Sequence, residues 1–410
     1  MYSHRFLAVT TLLATSIALP LWASDWKQFA GEAANFSAPS AKAWPKAGPQ
    51  ELWRKPIGKG YSAIAAAGEQ LFTMAREGDD DVVVAFDAAT GEELWLHRYP
   101  APTREGNLVE FGAGPHATPL VLDDRIVTLG YSGDLKALAR DDGRVLWSTQ
   151  LLEKWGGKVL PWGYSASPIL ESGRVVVLVG GDRAGAVAFD PMTGEPVWES
   201  AATSVSYATP LVIDLDGQRQ LLYFGHDALH ALDAGSGASL WKVAIKNGYE
   251  NHASMPIWLP ETRRLWVVSQ QEAGGRVLQL ERNGDRTEVE QLWANDRLKV
   301  HHWNSIVQGD TAYAAIGGDG GVLAGVDVAT GEILWRKRGY TQANFVSTPH
   351  GTVALDEGGN LTLLDLSRKG VTERARIEAL RSTSWTAPTV VGERIYLRDQ
   401  QEIVAYSVAP

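Results

Sequence analysis

The sequence predicts an all-β protein: an eight-bladed β-propeller of four-stranded antiparallel blades. Three observations support this. A short phrase of the form Asp-x-x-Thr-Gly-x-x-x-Trp recurs along the chain in exact and looser copies, β-rich runs flank each copy, and the series of tryptophans to which they belong is spaced 42 to 52 residues apart. A repeat of that length with several short strands per unit is typical of propellers. The chain contains no Trp-Asp dipeptide, which argues against a WD-type repeat.

Each repeated phrase reads as the turn between two strands. The Asp side chain can accept hydrogen bonds from the turn backbone, and the Gly supplies the positive φ that such turns need. The distance from Gly to Trp is constant, which places the Trp at a fixed point on the outer strand. The copies are residues 87–95, 190–198 and 327–335, with looser versions at 141–147 and 233–241.

The tryptophans that follow these turns give the number of blades. They are Trp53, Trp95, Trp147, Trp198, Trp241, Trp293 and Trp335. The last unit, residues 385–408, supplies three strands, and residues 51–56 can supply the fourth. We therefore expect the N-terminal strand to close the propeller and remove the exposed sheet edges. The predicted domains are an irregular arm over residues 24–50 and a single propeller over residues 51–410.

Composition and the N-terminal segment limit the functions that this protein can have. The net charge of −10 and the absence of a basic patch exclude a nucleic-acid partner. The chain has no cysteine, which excludes disulfides, thiolate metal sites and a lipoprotein anchor. Residues 1–23 have the features of a signal peptide. The alternative is a retained membrane anchor. We expect a monomeric periplasmic or secreted protein, not a lipoprotein, with no transmembrane segment after cleavage.

One set of residues suggests a ligand site. Aromatic and imidazole side chains open seven of the eight predicted innermost strands, where they would surround one mouth of the central channel. Such a collar suits an aromatic, sugar or peptide ligand. The alternative is that these side chains pack on one another and close the channel. The collar is Tyr61, His116, Tyr164, Tyr207, His252, His302 and Trp385. A shared metal site for its histidines is not expected, because His116 lies across the channel from the other two.

The two longest loops between blades suggest a partner surface. They cover residues 96–115 and 148–163 and open on the collar side. Charged and aromatic residues on a long loop over a rigid scaffold are typical of partner binding. An ordinary solvated loop is the alternative. The candidate residues are Arg104, Glu105, Trp155 and Trp162.

The repeated phrase resembles the tryptophan-docking repeat of the PQQ-like (quinoprotein-type) β-propellers. Trp26-Lys-Gln-Phe29-Ala-Gly31 is similar to the opening segment of exported members. The resemblance implies that each Trp packs against the turn of a neighbouring blade. One class in this family is the quinoprotein alcohol dehydrogenases, which hold PQQ with Ca²⁺ and usually carry a disulfide of adjacent cysteines. Another class is the propeller subunit of the outer-membrane β-barrel assembly machinery, a non-catalytic scaffold anchored through a lipidated cysteine.

This chain is short and has no cysteine, so it lacks both the disulfide and the lipidation site. We therefore expect an exported, non-catalytic scaffold that needs no cofactor and binds an envelope protein or a small ligand. A role in outer-membrane protein assembly is the specific form of this expectation. Two alternatives remain open. One is an oxidoreductase that uses PQQ with Ca²⁺ or another metal, and the other is a module that binds glycans or other polymers.

Overall fold

The structure, a computed structural model, describes residues 25–317 and 321–409. It confirms an all-β propeller of eight four-stranded antiparallel sheets around a central channel. The predicted signal peptide, residues 1–23, lies outside the described residues. Within them, no helix is long and apolar enough to cross a membrane.

In blades 1 to 7 the strands follow one another from the channel outwards, so each of these blades is a simple meander. In blade 8 the first strand of the chain takes the outermost place. The first strand of the chain is β1 (Gln50–Pro56). Blade 1 contains β2 (Ala65–Ala67), β3 (Gln70–Glu77), β4 (Asp80–Asp87) and β5 (Glu93–Pro100). Blade 2 contains β6 (Leu120–Val121), β7 (Arg125–Leu129), β8 (Asp134–Ala139) and β9 (Val145–Gln150). Blade 3 contains β10 (Ile169–Glu171), β11 (Arg174–Leu178), β12 (Ala186–Phe189) and β13 (Pro196–Glu199). Blade 4 contains β14 (Leu211–Leu215), β15 (Gln218–Phe224), β16 (Ala228–Asp233) and β17 (Ser239–Ala244).

The second half of the propeller repeats this order. Blade 5 contains β18 (Ile257–Leu259), β19 (Arg264–Val268), β20 (Gly275–Asn283) and β21 (Arg286–Asn295). Blade 6 contains β22 (Ser305–Gln308), β23 (Thr311–Ile316), β24 (Val322–Asp327) and β25 (Ile333–Arg338). Blade 7 contains β26 (Asn344–Thr348), β27 (Gly351–Leu355), β28 (Asn360–Ser367) and β29 (Gly370–Glu378). Blade 8 contains β30 (Thr389–Val391), β31 (Arg394–Arg398) and β32 (Glu402–Ser407). A short helix, α1 (Leu151–Trp155), and two 3-10 turns, Pro260–Thr262 and Gln271–Ala273, lie between strands.

The N-terminal strand closes the propeller, as predicted. Strand β1 pairs antiparallel with β32 and becomes the outermost strand of blade 8. This pairing joins the two ends of the chain in one sheet, so the first and last blades cannot separate without breaking it. In most blades the innermost strand of the structure begins three to five residues later than the sequence predicts. The residues before them form loops, because they bond to the next blade rather than to their own.

Tryptophan docking joins neighbouring blades. Trp95 of blade 1 lies over Gly143 of blade 2, and its indole N–H donates to the Arg140 carbonyl at 2.9 Å. A Cβ at Gly143 would lie 2.5 Å from the Trp95 ring, so only glycine permits this contact. The same indole-on-glycine contact joins Trp53 to Gly91, Trp147 to Gly194, Trp198 to Gly237, and Trp293 to Gly331. All five glycines have φ between 68° and 74°, the left-handed region.

The Asp of each turn holds the glycine in place. Asp87 Oδ1 accepts from the backbone N–H groups of Ala89 and Thr90 at 2.9 and 2.8 Å. In blade 3, the Thr193 and Met192 N–H groups donate to Asp190 and lower the pKa of its carboxyl. In blades 1 and 2 a bulge follows the residue paired with the Trp, and that residue is a small one, Ala85 or Ala137.

The docking pattern has three exceptions, and two of them have a structural reason. In blade 6 the Trp335 indole donates to the Ser367 carbonyl of blade 7 at 2.9 Å, but it does not lie on Gly370 of that turn, where no atom lies within 4 Å of a Cβ. Blade 5 turns through Gly284 in a long hairpin without the Asp-Thr-Gly sequence, so Trp241 donates instead to Gln220 of its own blade at 2.8 Å. Blade 7 places Ala375 at the Trp position, opposite Leu363. The next blade is the closure sheet, where β32 and β1 come from opposite ends of the chain. No turn joins them, so a tryptophan there would have no glycine to dock on.

A second belt of hydrogen bonds surrounds the channel. Loops that precede the innermost strands donate to, or accept from, the corresponding loop of the next blade, and together these bonds span all eight seams at distances of 2.8 to 3.3 Å. They run from Tyr61 N to Pro115 O, Thr118 N to Ser167 Oγ, Ser167 N to Thr209 Oγ1, Tyr207 N to His252 O, Ser254 Oγ to His301 O, Asn304 N to Asn344 Oδ1, Asn344 Nδ2 to Trp385 O, and Thr386 Oγ1 to Tyr61 O. The channel wall is therefore hydrogen-bonded around its full circumference.

The arm before β1 packs against the channel-facing edges of several blades. Trp26 exchanges two backbone hydrogen bonds with Ala66, and the Lys27 carbonyl accepts from Val121. Farther along, the backbone around Phe36 pairs with Ser347, and Phe36 is 3% exposed. The innermost strands would otherwise leave their N–H and C=O groups unpaired here. The arm thus occupies the channel at the end opposite the predicted collar.

We expect Gly143→Ala to destabilise the protein more than Gly217→Ala. Both glycines have left-handed φ values, 70° and 80°, so both substitutions strain the backbone. Only the Gly143 methyl would overlap a docked indole, because no atom lies within 4 Å of a Cβ at Gly217. The difference in the free energy of unfolding should be about 1–3 kcal/mol, the usual cost of overpacking. Urea denaturation measures it, and equal losses in the two variants would contradict the docking account.

Candidate functional site

One face of the propeller carries the predicted site, and we call it the collar face. It is formed by the loops that lead from the outermost strand of one blade to the innermost strand of the next, among them residues 101–115, 151–168, 245–256 and 379–388. The opposite face carries the docking turns. The mouth of the channel lies at the centre of the collar face.

Four of the seven predicted collar residues form a continuous stack of rings across the mouth. Tyr61 stacks on His116 at 5.5 Å with the rings 7° from parallel, and on Trp385 at 4.9 Å. The Trp385 ring in turn contacts His302 at 4.5 Å. We call these four residues the ring stack. They come from blades 2, 1, 8 and 6, so the stack bridges the mouth of the channel.

Burial keeps the imidazoles of the ring stack neutral. It lowers the pKa of His116 to about 4 and the pKa of His302 well below its ordinary value. Both side chains retain some exposed surface, but their Nε2 atoms are shielded from solvent and have no hydrogen-bond partner among the described residues. Burial also raises the pKa of Tyr61 to about 12. The stack is therefore an uncharged aromatic surface at neutral pH.

Polar contacts fix the orientation of the stack. The Trp385 indole donates to Glu357 Oε1 at 2.8 Å, and the Tyr61 hydroxyl donates to the Phe111 carbonyl at 2.9 Å. The Phe111 ring also lies 5.5 Å from the Trp385 ring. The Tyr61 and Trp385 rings are thus held at their edges as well as by their neighbours, which favours a single arrangement.

A loop over residues 101–115, which we call the lid loop, lies across this stack. Its backbone is tied down at both ends. Leu108 N donates to the Pro161 carbonyl at 2.6 Å, and Asn107 Nδ2 donates to the Leu160 carbonyl at 3.0 Å. Near its other end, the Arg76 guanidinium donates to the Ala113 carbonyl at 3.2 Å. The lid loop therefore has a defined path although it contains no strand or helix.

The other three predicted collar residues do not join the ring stack. Tyr164 is buried between blades 2 and 3, and its hydroxyl donates to the Val179 carbonyl at 2.7 Å. His252 is fully buried, stacks on Phe224 at 4.5 Å and lies 2.8 Å from Ser269 Oγ. Tyr207 packs edge-on against Trp162 at 5.8 Å. The sequence placed all seven residues at one level of the propeller, but their side chains turn into different seams.

The residues predicted to bind a partner also differ in where the structure places them: some are exposed and others are buried. Arg104 and Glu105 are exposed on the lid loop. Trp155, in contrast, is fully buried at the end of α1, where its indole donates to Glu199 at 2.8 Å and its ring meets Phe189 edge-on. It cannot contribute to a partner surface as we expected, because the helix turns its side chain into blade 3. Trp162 lies under the lid region and is partly exposed.

Three apolar residues of the lid loop were missed by the sequence analysis. Leu108, Val109 and Phe111 are 41%, 51% and 51% exposed on the lid loop, and the Phe111 ring contacts Trp385 at the mouth of the channel. The sequence feature that could have identified these residues was an apolar run inside a loop rich in glycine and proline. Glu357 was also missed, since a single carboxylate on a hairpin turn has no distinctive sequence context.

Comparison with known proteins identifies the family. A family model described as outer membrane protein assembly factor BamB matches residues 40–218 and 79–324, which together make up more than half of the chain. The chain belongs to the BamB family. The BamB protein of Yersinia pestis is 24% identical over 357 residues, which cover 73% of this chain and 84% of that protein.

Two further comparisons place the chain within the wider fold. The crystal structure of BamB from Moraxella catarrhalis superposes with a TM-score of 0.61 at 18% identity and covers 88% of this chain and 97% of that one, which shows a shared fold. Quinoprotein alcohol dehydrogenase PedH of Pseudomonas putida is 31% identical over 134 residues. That match covers 28% of this chain and only 19% of the dehydrogenase, so it reflects a few shared blades.

The mouth of the channel in this BamB-family chain does not fit PQQ with Ca²⁺. Calcium takes six to eight oxygen ligands, whereas the polar side-chain groups of and around the ring stack are imidazoles, an indole, the Tyr61 hydroxyl, the Gln400 amide and one carboxylate, Glu357. Over residues 25–317 and 321–409, no three His, Asp or Glu side chains approach closely enough to hold a metal ion. Rings 4.5 to 5.5 Å apart also leave no gap for a planar quinone between them. That the protein works without a cofactor stays a prediction.

We expect the His116 imidazole to stay neutral until the pH approaches about 4, instead of gaining a proton near its ordinary value of 6.5. Burial disfavours the charged form, so folding opposes protonation, and His116 makes the free energy of unfolding fall as the pH drops from 6.5 towards 4. Nitrogen NMR of the imidazole, assigned by its loss in His116→Asn, measures the titration against a histidine in an unstructured peptide. Protonation near pH 6.5 would show that the stack is open to water.

Proposed function

We propose that this protein is an exported, non-catalytic scaffold that binds a protein partner through its collar face during outer-membrane protein assembly. The observation that carries the proposal is the exposed apolar cluster of the lid loop, Leu108, Val109 and Phe111, on a rigid propeller of the BamB family. The relatives that match most of the chain are named as outer membrane protein assembly factors.

The lid loop has the properties of a preformed binding surface. Exposed apolar side chains that stand together on a soluble protein mark sites of interaction. Here the backbone beneath them is fixed by hydrogen bonds to residues 160 and 161 and to Arg76. A partner therefore orders little additional chain when it binds, which lowers the entropic cost of association.

Charged groups surround this apolar cluster. Arg104, Glu105 and Glu110 are exposed on the lid loop itself, and Lys154 is exposed on the neighbouring helix α1. An apolar centre with a charged, solvated rim is the usual anatomy of a protein interface. The mixed signs of the rim favour a partner with matching charges rather than a uniformly charged polymer.

The ring stack supports binding rather than catalysis. Its imidazoles are neutral and packed against other rings, so neither is placed to accept a proton from a bound substrate at neutral pH. The stack instead supports the lid from below through Tyr61 and Trp385. A glycan ligand would have to displace Phe111 to reach those aromatic faces, whereas a protein partner can use the lid as it stands.

We expect a Leu108→Ser/Phe111→Ser double variant to lose function in the cell. In a strain that lacks the gene, the wild-type protein should restore normal levels of outer-membrane proteins, measured by quantitative mass spectrometry of the outer membrane. The double variant should restore less than half of the difference, because the apolar centre of the surface is gone.

Met192→Ser is the matched control. Met192 is 61% exposed on a docking turn of the opposite face, so its loss removes a comparable apolar side chain without touching the lid. It should restore outer-membrane protein levels fully. Full restoration by the lid double variant, at equal abundance in the cell, would overturn the proposed surface.

A further inference from the structure

We propose a second site: a pocket at the seam between blades 8 and 1 that binds the C-terminal carboxylate of an extended polypeptide with an apolar last residue. The inference goes beyond the proposed function, because the pocket takes a different ligand, although it borders the lid surface and shares Val109 with it. The pocket has a volume of about 530 Å³. It is lined by residues of the segment after β1, the β3–β4 turn, the lid loop and the β31–β32 turn, chiefly Ile57, Lys59, Arg76, Val109 and Gln400.

Two cations line this pocket in different ways. The Lys59 side chain is exposed and makes no ion pair or hydrogen bond with any described residue. Arg76 is only 7% exposed, and its guanidinium is held by the carbonyls of Gly78 at 3.1 Å and Ala113 at 3.2 Å. One cation is thus free to move toward an anion, and the other is fixed in the wall.

The negative groups nearby leave part of this charge uncompensated. Asp79 and Asp81 lie 3.7 and 3.5 Å from the Arg76 guanidinium. Asp79 is almost fully exposed, so water screens it. Asp81 is fully buried, and burial raises the pKa of its carboxyl to about 7, which leaves it partly protonated at neutral pH.

A third cation stands behind the wall. Arg398 is fully buried, and its guanidinium donates to the Gly58 carbonyl and to Thr73 Oγ1, both at 3.0 Å. All of its hydrogen-bond acceptors are backbone carbonyls or this hydroxyl, so no carboxylate is bonded to it. Burial lowers its pKa to about 10, and the nearby Asp399 carboxylate acts in the opposite direction, so Arg398 remains charged at neutral pH and its positive potential is partly offset by Asp399.

Gln400 places an amide group at the wall of the pocket. Its Oε1 accepts from the Gly60 backbone N–H at 3.1 Å, which fixes the orientation of the amide. The Nε2 group at the other end is buried and has no hydrogen-bond partner among the described residues. The amide also interacts with the Tyr61 side chain, so a carboxylate oxygen that bonds to Nε2 would have to compete with the Tyr61 hydroxyl and would need a small rotation of the Gln400 side chain.

The shape of the pocket admits a chain end with an apolar side chain. Ile57 and Val109 supply apolar surface, while Gly58, Gly78 and Gly112 leave the wall without side chains. Gly58 is required by the packing, since a Cβ there would lie 2.6 Å from the Arg76 carbonyl. Cations and an amide donor on one side with apolar walls on the other match a terminal residue, which has both a carboxylate and a side chain.

Fluorescence anisotropy of labelled ten-residue peptides tests this site. We expect the mature protein to bind a peptide with an apolar C-terminal residue and a free carboxylate at least about tenfold more tightly than its C-terminal amide, because charge-assisted bonds are the stronger class. A peptide with an internal Glu but an amidated end should bind as weakly as the amide. Equal binding of free acid and amide would overturn the proposal.

Variants of the pocket locate the binding. Lys59→Glu should weaken binding of the free-acid peptide about tenfold, and Gln400→Leu should weaken it severalfold. Lys337→Glu is the control, because it makes the same charge change at an exposed lysine on the outer strand of blade 6. Each variant should keep the urea midpoint of the wild type. If Lys337→Glu and Lys59→Glu weaken binding equally, the effect is one of net charge, and the pocket is not the site.

Inorganic phosphate separates a peptide site from a simple anion site. We expect phosphate to compete with the peptide only weakly, because it makes no use of the apolar walls. If phosphate binds in the pocket and the free-acid peptide does not, the proposal fails. The Leu108→Ser/Phe111→Ser variant should bind the peptide normally, since neither residue lines the pocket. Failure of the lid surface and failure of this pocket can therefore be told apart.

Discussion

The contact between an indole and a glycine of the next blade is the interaction on which the rest of this structure depends. It needs a left-handed glycine, an Asp that holds the turn, and a Trp at a fixed distance along the outer strand. Outer-strand docking at five seams and the inner belt of hydrogen bonds at all eight hold the blades together at two radii. The loops of the collar face therefore stand on a rigid base, and they can present side chains in fixed positions without secondary structure of their own.

The fold could be predicted because its determinants are local and repeated. Asp87, Gly91 and Trp95 lie within nine residues of one another, so each repeat carries the full signal for its turn and its anchor. The exceptions were harder to interpret. The sequence shows that blade 7 lacks a Trp, but only the topology explains Ala375, because the missing docking turn lies between β32 and β1 at opposite ends of the chain.

The candidate site was less predictable, for a related reason. Periodicity placed Tyr61, His252 and Trp385 at the same level of the propeller, but it contains no information on which seam each side chain enters. His252 turns towards Phe224 and Ser269, while Tyr61 and Trp385 meet over the channel. The direction depends on space left by residues far away in sequence. The apolar residues of the lid loop and the Gln400 pocket depend on such long-range contacts even more.

The central claim is that the mouth of the channel is closed by its own side chains and that the protein acts by binding partners on its surface. Titration of the purified mature protein with PQQ and Ca²⁺ tests this most directly. Binding is monitored by absorbance, and turnover is monitored by dye-linked oxidation of simple alcohols and aldose sugars. The account predicts no saturable binding and no turnover at high micromolar cofactor. Saturable binding with turnover would contradict it, because the ring stack would then have to open to admit the quinone.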